Sequence, residues 1–363
     1  MSHPVLDATF QLGQSIWLDF INRQLLDSGR LDALISEGLR GMTSNPTIFE
    51  QAISGSADYD ADIRAAKSLG ETPAETFERI AVSDIVRAAD ALRRVYEDSA
   101  GADGFVSLEV SPKLAHDTQG TIVEARRLWS RVGRPNLLIK VPGTREGLPA
   151  IHTLLAEGIN VNVTLIFSLQ QYRDVLETYL RAVELRSSRG QSVDRMASVA
   201  SFFVSRVDGA TDKQLEAKGR RDLAAKAAIA NACVAYRHFL EITSDARWKS
   251  LAAKGARVQR PLWASTSTKN PSYSDILYVE ELVARDTVNT VPLATLDAWK
   301  GHGKPQPRLM ENLKTADDVL AQIRAAGVDV DKITVELIED GVKKFADSYD
   351  QLLTAIEAKL KVM

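Results

Sequence analysis

The chain has 363 residues, 45% of them hydrophobic, enough to bury a large core as one enlarged α/β barrel or as two ordinary domains. Lys plus Arg number 45 against 48 Asp plus Glu, a net charge of −3, which excludes a global pull toward nucleic acid or an anionic membrane and leaves any anion to a local site. The one cysteine, Cys233, sits in an alanine-rich helical stretch as an expected buried thiol; it excludes an internal disulfide and a cysteine metal cluster.

Residues 1–10 lack the basic segment and apolar run of a secretory signal, and no apolar stretch is long enough to span a bilayer, so a cytoplasmic protein is expected. Short apolar runs then recur at residues 15–20, 41–43, 104–110, 136–140, 160–166, 197–204, 257–264 and 287–290, separated by longer stretches with helical spacing. Eight strands alternating with helices predict an α/β fold, a (β/α)8 TIM barrel with additional helices. Several runs are apolar throughout, as strands covered on both faces require. A doubly wound open sheet would want a glycine-rich turn after its first strand, and Asp19-Phe20-Ile21-Asn22-Arg23 is not one.

The connections are unequal. Residues 47–98 leave room for two or three helices, with Thr72-Pro73 as a start signal, and residues 208–254 for two more. Residues 301–307, rich in Gly and Pro, read as a loop, and residues 331–363 as a terminal helix. No Ser/Gly linker interrupts the chain, so residues 1–363 are expected to form a single domain with these helices as insertions.

A barrel enzyme builds its site from the C-terminal ends of its strands. Collected there are Asp19; Thr43, Ser44 and Asn45; Glu109; Lys140; Asn162 and Thr164; Ser201 and Arg206; Ser265 and Lys269; and Asn289. Lys140 ends the run Asn136-Leu137-Leu138-Ile139-Lys140 and faces a Pro/Gly turn, a poor place for a solvated charge and a good one for amine chemistry. Burial makes an ammonium costly and favours the nucleophilic amine. Attack on a ketone would give a carbinolamine and then a protonated Schiff base, able to labilise a neighbouring carbon-carbon bond. Asp19 and Glu109 are then candidate proton shuttles, and Asn45 and Asn162 candidate holders of substrate hydroxyls. Taken singly, each has a structural role open to it: Asn45-Pro46 as a turn before a helix, Asn162 and Thr164 as core partners, Arg206-Val207-Asp208 as a surface ion pair at a helix start. Five scattered histidines lack paired metal spacing, and no Walker loop or GxGxxG element occurs, so no metal and no cofactor are expected.

Gly41-Met42-Thr43-Ser44-Asn45-Pro46-Thr47-Ile48-Phe49 resembles the first transaldolase motif, and Leu138-Ile139-Lys140-Val141-Pro142-Gly143-Thr144-Arg145-Glu146-Gly147-Leu148 the second, which carries the Schiff-base lysine. The resemblance continues through residues 158–168 and 201–208 and covers nearly the whole chain. It implies a class I aldolase-type barrel that passes a dihydroxyacetone unit from sedoheptulose 7-phosphate to glyceraldehyde 3-phosphate, giving erythrose 4-phosphate and fructose 6-phosphate in the pentose phosphate pathway. By the same resemblance Lys140 forms the Schiff base and Asp19 is the acid/base beside the breaking bond. Glu109 and Thr164 hold the catalytic water, Asn45, Asn162 and Ser201 bind the dihydroxyacetone part with Thr43 nearby, and Arg206 meets the phosphate. The pattern departs at Ala264-Ser265-Thr266-Ser267-Thr268-Lys269-Asn270, where short transaldolases place an arginine two residues after the serine. Here the segment is longer and its cation is Lys269, a point charge rather than a planar fork.

Two rivals compete with this reading. A fructose-6-phosphate aldolase would release dihydroxyacetone, and the resemblance places tyrosine there at the position of Phe203, whose phenyl ring offers no proton. A non-catalytic sugar-phosphate sensor would need Arg206 and Lys269 but not Lys140, Glu109 and Asp19 together. Expected partners are sugar phosphates, with neither nucleic acid nor membrane, and the protein is expected as a monomer or homodimer.

Overall fold

A computed structural model describes residues 2–363 and shows eight parallel strands closed into a barrel in chain order. They are β1 (Gln14–Asp19), β2 (Gly41–Thr43), β3 (Phe105–Glu109), β4 (Leu137–Pro142), β5 (Val161–Ile166), β6 (Ser198–Phe203), β7 (Arg260–Ala264) and β8 (Thr287–Val291), with β8 pairing back onto β1. The (β/α)8 TIM barrel expected from the alternation is the observed fold. The apolar runs mark every strand, and the boundaries shift for local reasons. β7 starts three residues late because Arg257 turns aside to donate to the carbonyls of Asp194 (2.8 Å) and Ala100 (2.6 Å), and the ladder begins only at Val199 opposite Arg260.

One shift matters for function. β4 does not stop at Lys140: its ladder with β5 continues through Val141 opposite Val163 and Pro142 opposite Thr164. Pro142 has no N–H to offer, but the next residue restores the pairing by donating from Gly143 to the Thr164 carbonyl at 2.7 Å. Lys140 therefore lies inside the strand, 4% exposed, rather than at its rim.

The N-terminal end of the barrel is closed by a polar plug. Asp103 accepts from Trp17 Nε1 (2.8 Å), from Ser15 and from Arg40 Nε (3.1 Å), and Arg260 donates to Ser15 Oγ (2.8 Å) and the Thr287 carbonyl (2.6 Å). These groups satisfy one another, as buried polar atoms must.

Outside the barrel, the β2–β3 connection holds four helices, Pro46–Ser54, Asp60–Leu69, Pro73–Ala91 and Arg93–Asp98, where the sequence suggests two or three. Thr72 and Glu75 form a reciprocal capping box at the third, as Thr72-Pro73 indicates. The β6–β7 connection carries Ser205–Ala217, Ala227–Ser244 and Ala246–Ala252, one helix more than the composition suggests, since Asp245 caps a fresh start by accepting from Arg247 N at 2.7 Å. Gly301 and His302 close the helix Leu293–His302 rather than opening a loop. The terminal helix, Val330–Val362, lies across the C-terminal mouth, hydrogen-bonded through Ser348 to Thr47 (2.8 Å) on the helix after β2. No helix among the described residues is long and apolar enough to cross a membrane.

Glycine marks two opposite packing situations. A Cβ on Gly41 would come within 2.5 Å of the buried Trp17 indole, whereas Gly209, exposed on the helix Ser205–Ala217, has nothing within 4 Å of that position. Chemical denaturation should show Gly41→Ala losing about 1–3 kcal/mol through overpacking. Gly209→Ala should gain about 0.5–1 kcal/mol from reduced backbone entropy in the unfolded chain.

Candidate active site

Lys140 projects from β4 to the barrel axis with β3 on one side and β5 on the other. Its Nζ donates to the Ser44 carbonyl at 3.2 Å and lies 3.3 Å from Glu109 Oε2. Both partners are fixed: Ser44 Oγ donates to the Ser107 carbonyl at 2.8 Å, and Glu109 sits directly opposite Lys140 in the β3–β4 ladder. Burial pushes the Glu109 carboxyl up to about 7, opposed by the nearby lysine and assisted by the negative Asp19. Neither Glu109 oxygen, nor the buried Thr164 Oγ1 on β5, has a hydrogen-bond partner among the described residues.

Asp19, at the end of β1, accepts from Thr43 Oγ1 at 2.6 Å, and Thr43 shares a 2.7 Å bond with Thr290 Oγ1 on β8. Desolvation raises the Asp19 carboxyl above its ordinary value, partly offset by Lys140, by the Thr43 hydrogen bond and by Lys269. The other residue named from β8, Asn289, is occupied by Thr266 Oγ1 at 2.8 Å and faces away from this network.

The two asparagines prove unlike. Asn45 Oδ1 accepts from Ile48 N at 3.0 Å and caps the helix Pro46–Ser54, so the turn reading of Asn45-Pro46 holds for its oxygen. Asn162 is wholly buried, donating to Ser107 Oγ (3.0 Å) and accepting from Ser201 Oγ (2.6 Å). Its partners are these serines and not Thr164.

Arg206 begins the helix after β6, and no surface ion pair with Asp208 forms. Asp208 points into the core, accepting from Ala228 N and Tyr278 Oη at 2.8 Å each. The guanidinium lies instead against the ring of Phe203 (5.5 Å) and that of Phe345 (5.9 Å), and its buried Nη1 has no partner among the described residues. Phe345 also covers Lys140, whose Nζ is 5.6 Å from its centroid. Ser265 bonds Ser205 Oγ at 2.9 Å just past β7, and the exposed Lys269 rests on Ser267 Oγ at 2.8 Å.

Asp19, Thr43, Asn45, Lys140, Thr164, Ser201, Phe203, Arg206, Ser265 and Lys269 all line one cavity of about 340 Å³ at the C-terminal mouth. Of the residues singled out from the sequence, Ser44, Glu109, Asn162 and Asn289 do not line it; Ser44 and Glu109 line a neighbouring hollow beside β3, which Asn45 also borders. Two hollows of about 420 and 860 Å³, one beside β3 and one at the N-terminal end, are larger, but neither contains the lysine, so chemistry and not volume locates the site.

Several contributors were missed. Phe345 and Gly341 belong to a terminal helix whose buried positions 341, 345, 352 and 356 repeat at helical spacing, a signal for an apolar face but not for what it covers. Gln171 donates to the carbonyls of Gly143 (2.7 Å) and Leu165 (3.0 Å) and accepts from Phe167 N (3.0 Å), pinning the exits of β4 and β5. Nothing in its sequence context marks it.

A closed (β/α)8 barrel with a buried lysine-carboxylate pair beneath its C-terminal mouth defines an enzyme barrel of the amine-chemistry class. The profile of the Transaldolase/Fructose-6-phosphate aldolase family matches residues 16–356. The chain is 48% identical to a transaldolase of Saccharopolyspora erythraea over 98% of its own length and 97% of that protein. It is 46% identical to transaldolase 2 of Nostoc punctiforme, covering 97% of each chain, and 47% identical to a transaldolase of Mycobacterium bovis, covering 99% and 98%. The chain belongs to the transaldolase/fructose-6-phosphate aldolase family and is a transaldolase-type enzyme.

The Lys140–Glu109 pair has a pH signature. A carboxyl raised by burial binds its proton more tightly folded than unfolded, so stability falls as pH rises from its ordinary 4.5 through the folded value of about 7. Lys140→Met removes the one charge that lowers that value most, moving it higher still. Denaturation of variant and parent should show a stability deficit that is larger at pH 8 than at pH 5; an equal deficit at both would mean that Glu109 does not feel the lysine.

Proposed function

We propose that this barrel transfers a dihydroxyacetone unit from sedoheptulose 7-phosphate to glyceraldehyde 3-phosphate, yielding erythrose 4-phosphate and fructose 6-phosphate. The observation that carries the reading is a buried amine, 3.3 Å from a carboxylate, in a cavity that Asp19 and Arg206 also line.

Lys140 Nζ attacks the ketose carbonyl, and the carbinolamine loses water to give a protonated Schiff base. Glu109 and Thr164 handle that water; their unpartnered oxygens flank the lysine and can accept from or donate to it. Asp19 takes the proton of the hydroxyl beside the breaking bond, the carbon-carbon electron pair passes to the iminium, and the first aldose leaves. The enamine that remains adds to the acceptor aldehyde, Asp19 returns its proton to the new hydroxyl, and water releases the ketose. Thr43 holds Asp19 in place, and burial raises its carboxyl above the ordinary value, strengthening its hold on the proton it takes.

The free amide nitrogen of Asn45 and the hydroxyl of Ser201, oriented by Asn162, bind the hydroxyls of the three-carbon unit. Arg206, with no carboxylate partner within salt-bridge distance among the described residues, receives the phosphate, with Lys269 and Ser265 on the neighbouring segment after β7. Phe203 supports Arg206 with its face and supplies no proton to the bound enamine, which favours transfer over release. In this reading the helices at 47–98, 208–254 and 331–363 extend one barrel domain. The protein acts as a cytoplasmic monomer or homodimer, and Cys233 is buried as a structural thiol.

Borohydride added with fructose 6-phosphate should leave a reduced adduct on Lys140, read as an intact-mass increase and located by peptide mapping; an adduct that survives in Lys140→Ala would overturn the assignment. Incubation with fructose 6-phosphate alone should give little free dihydroxyacetone, and turnover should begin only when erythrose 4-phosphate is supplied, yielding sedoheptulose 7-phosphate and glyceraldehyde 3-phosphate. Substantial release without an acceptor would make the enzyme an aldolase.

A further inference from the structure

The segment after β7 that carries Lys269 is tied to the helix that carries Arg206 at three points. The first is at the origin of both, where Ser205 N donates to the Ser265 carbonyl at 3.0 Å and the two serine hydroxyls meet at 2.9 Å. The other two are carboxylates one helical turn apart, Asp208 and Asp212, on one face of Ser205–Ala217. Asp208 accepts from Tyr278 Oη at 2.8 Å and Asp212 from Tyr273 Oη at 2.7 Å. Each carboxylate also accepts a backbone N–H from the following connection, Ala228 at 2.8 Å and Ala225 at 3.1 Å, so their positions are set before the tyrosines arrive.

Within this segment the buried Thr266 is also held, donating to Asn289 Oδ1 at 2.8 Å and the Thr290 carbonyl at 3.3 Å, but beyond it the chain toward Tyr273 is looser. Lys269 and Asn270 are exposed, and the Lys269 ammonium hydrogen-bonds Ser267 Oγ, two residues away. The Asn270 side chain accepts from Ser272 N at 3.0 Å and the Asn270 carbonyl from Tyr273 N at 3.1 Å, making a turn that leads into the tyrosine. We infer that Tyr273, through Asp212, is a positioning residue for phosphate recognition: it fixes the spacing between Lys269 and Arg206 so that one phosphate meets both cations. The inference rests on the reading of Lys269 as a phosphate contact. It answers a specific weakness of that contact, since an ammonium on a long flexible stem has no built-in geometry and gains selectivity only from a fixed backbone.

The test compares Tyr273→Phe, Lys269→Met and the double variant with erythrose 4-phosphate and with D-erythrose as acceptors. Tyr273→Phe keeps the ring and deletes one hydrogen bond; KM for erythrose 4-phosphate should rise about fivefold to tenfold with kcat within about twofold, and the kinetics with erythrose should not change. Asp212→Asn, which keeps an acceptor oxygen for the two donors, should by itself retain most of the parent KM. In the Lys269→Met background Tyr273→Phe should add nothing. A KM rise in Lys269→Met but none in Tyr273→Phe would overturn the positioning role and leave Lys269 as a phosphate ligand. No rise in either would overturn the Lys269 reading and the positioning role with it. Equal losses with both acceptors would show a merely structural tyrosine.

Discussion

The buried pair of Lys140 and Glu109 is the constraint around which the C-terminal half of the barrel is organised. Two charged groups are removed from water at a separation of 3.3 Å, each with its side chain at most 5% exposed. Such a pair is costly to desolvate, and it survives only where geometry and further polar contacts offset that cost. The offsets are visible. Adjacent parallel strands set the two residues in register, the Ser44 carbonyl takes one ammonium proton, and the Phe345 ring faces the same cation from above. Asp19 adds a second negative group near the lysine, so that no single carboxylate neutralises it. An open parallel sheet could hold the register but not the enclosure; a closed barrel capped by a helix holds both.

The same enclosure explains where the backbone is strained. Two non-glycine residues at the barrel mouth, Leu165 and Ser265, have φ values of 57° and 56°. Left-handed backbone at such residues costs about 1–3 kcal/mol each and persists only where the surroundings impose it. Leu165 lies in the register shift between β5 and β6, where Gln171 collects the irregular carbonyl and the turn after β4, and its side chain abuts Gly341 so closely that a Cβ there would stand 3.0 Å away. Ser265 is the point at which the Lys269 segment departs, bonded at once to Ser205. The irregular backbone thus lies where the chain must aim side chains into the cavity.

How much of this was legible in the sequence depended on the range of the interaction. Strand positions follow from local apolar runs and strand-end residues from topology, so Lys140, Glu109, Asp19 and Arg206 could be collected before their distances were known. From sequence alone the strand ends at Lys140, because a proline ordinarily stops a ladder; that Gly143 resumes it is a property of the partner strand. Asp208 was paired with its sequence neighbour Arg206, while its partners, Ala228 and Tyr278, come from 20 and 70 residues away. Phe345 escaped for a similar reason. A helical pattern gives a buried face, but only the tertiary fold determines that this face closes the mouth above a lysine some two hundred residues earlier.

Phe345 also connects the two halves of the chemistry. Its ring lies 5.6 Å from the Lys140 ammonium and 5.9 Å from the Arg206 guanidinium, so one side chain borders both the amine and the guanidinium to which the proposed reaction assigns the carbonyl and the phosphate. The two cations are treated oppositely. Lys140 has a counter-charge at 3.3 Å, whereas Arg206 is desolvated with an unpartnered nitrogen and a guanidinium held below its ordinary value by burial. A desolvated, unpaired cation is raised in free energy until an anion arrives, so in the proposed reaction binding strength is concentrated at the end of the substrate that does not react. There the phosphate would be the handle that draws the carbonyl down to Lys140, its binding energy offsetting the ordering that the reaction at the other end requires.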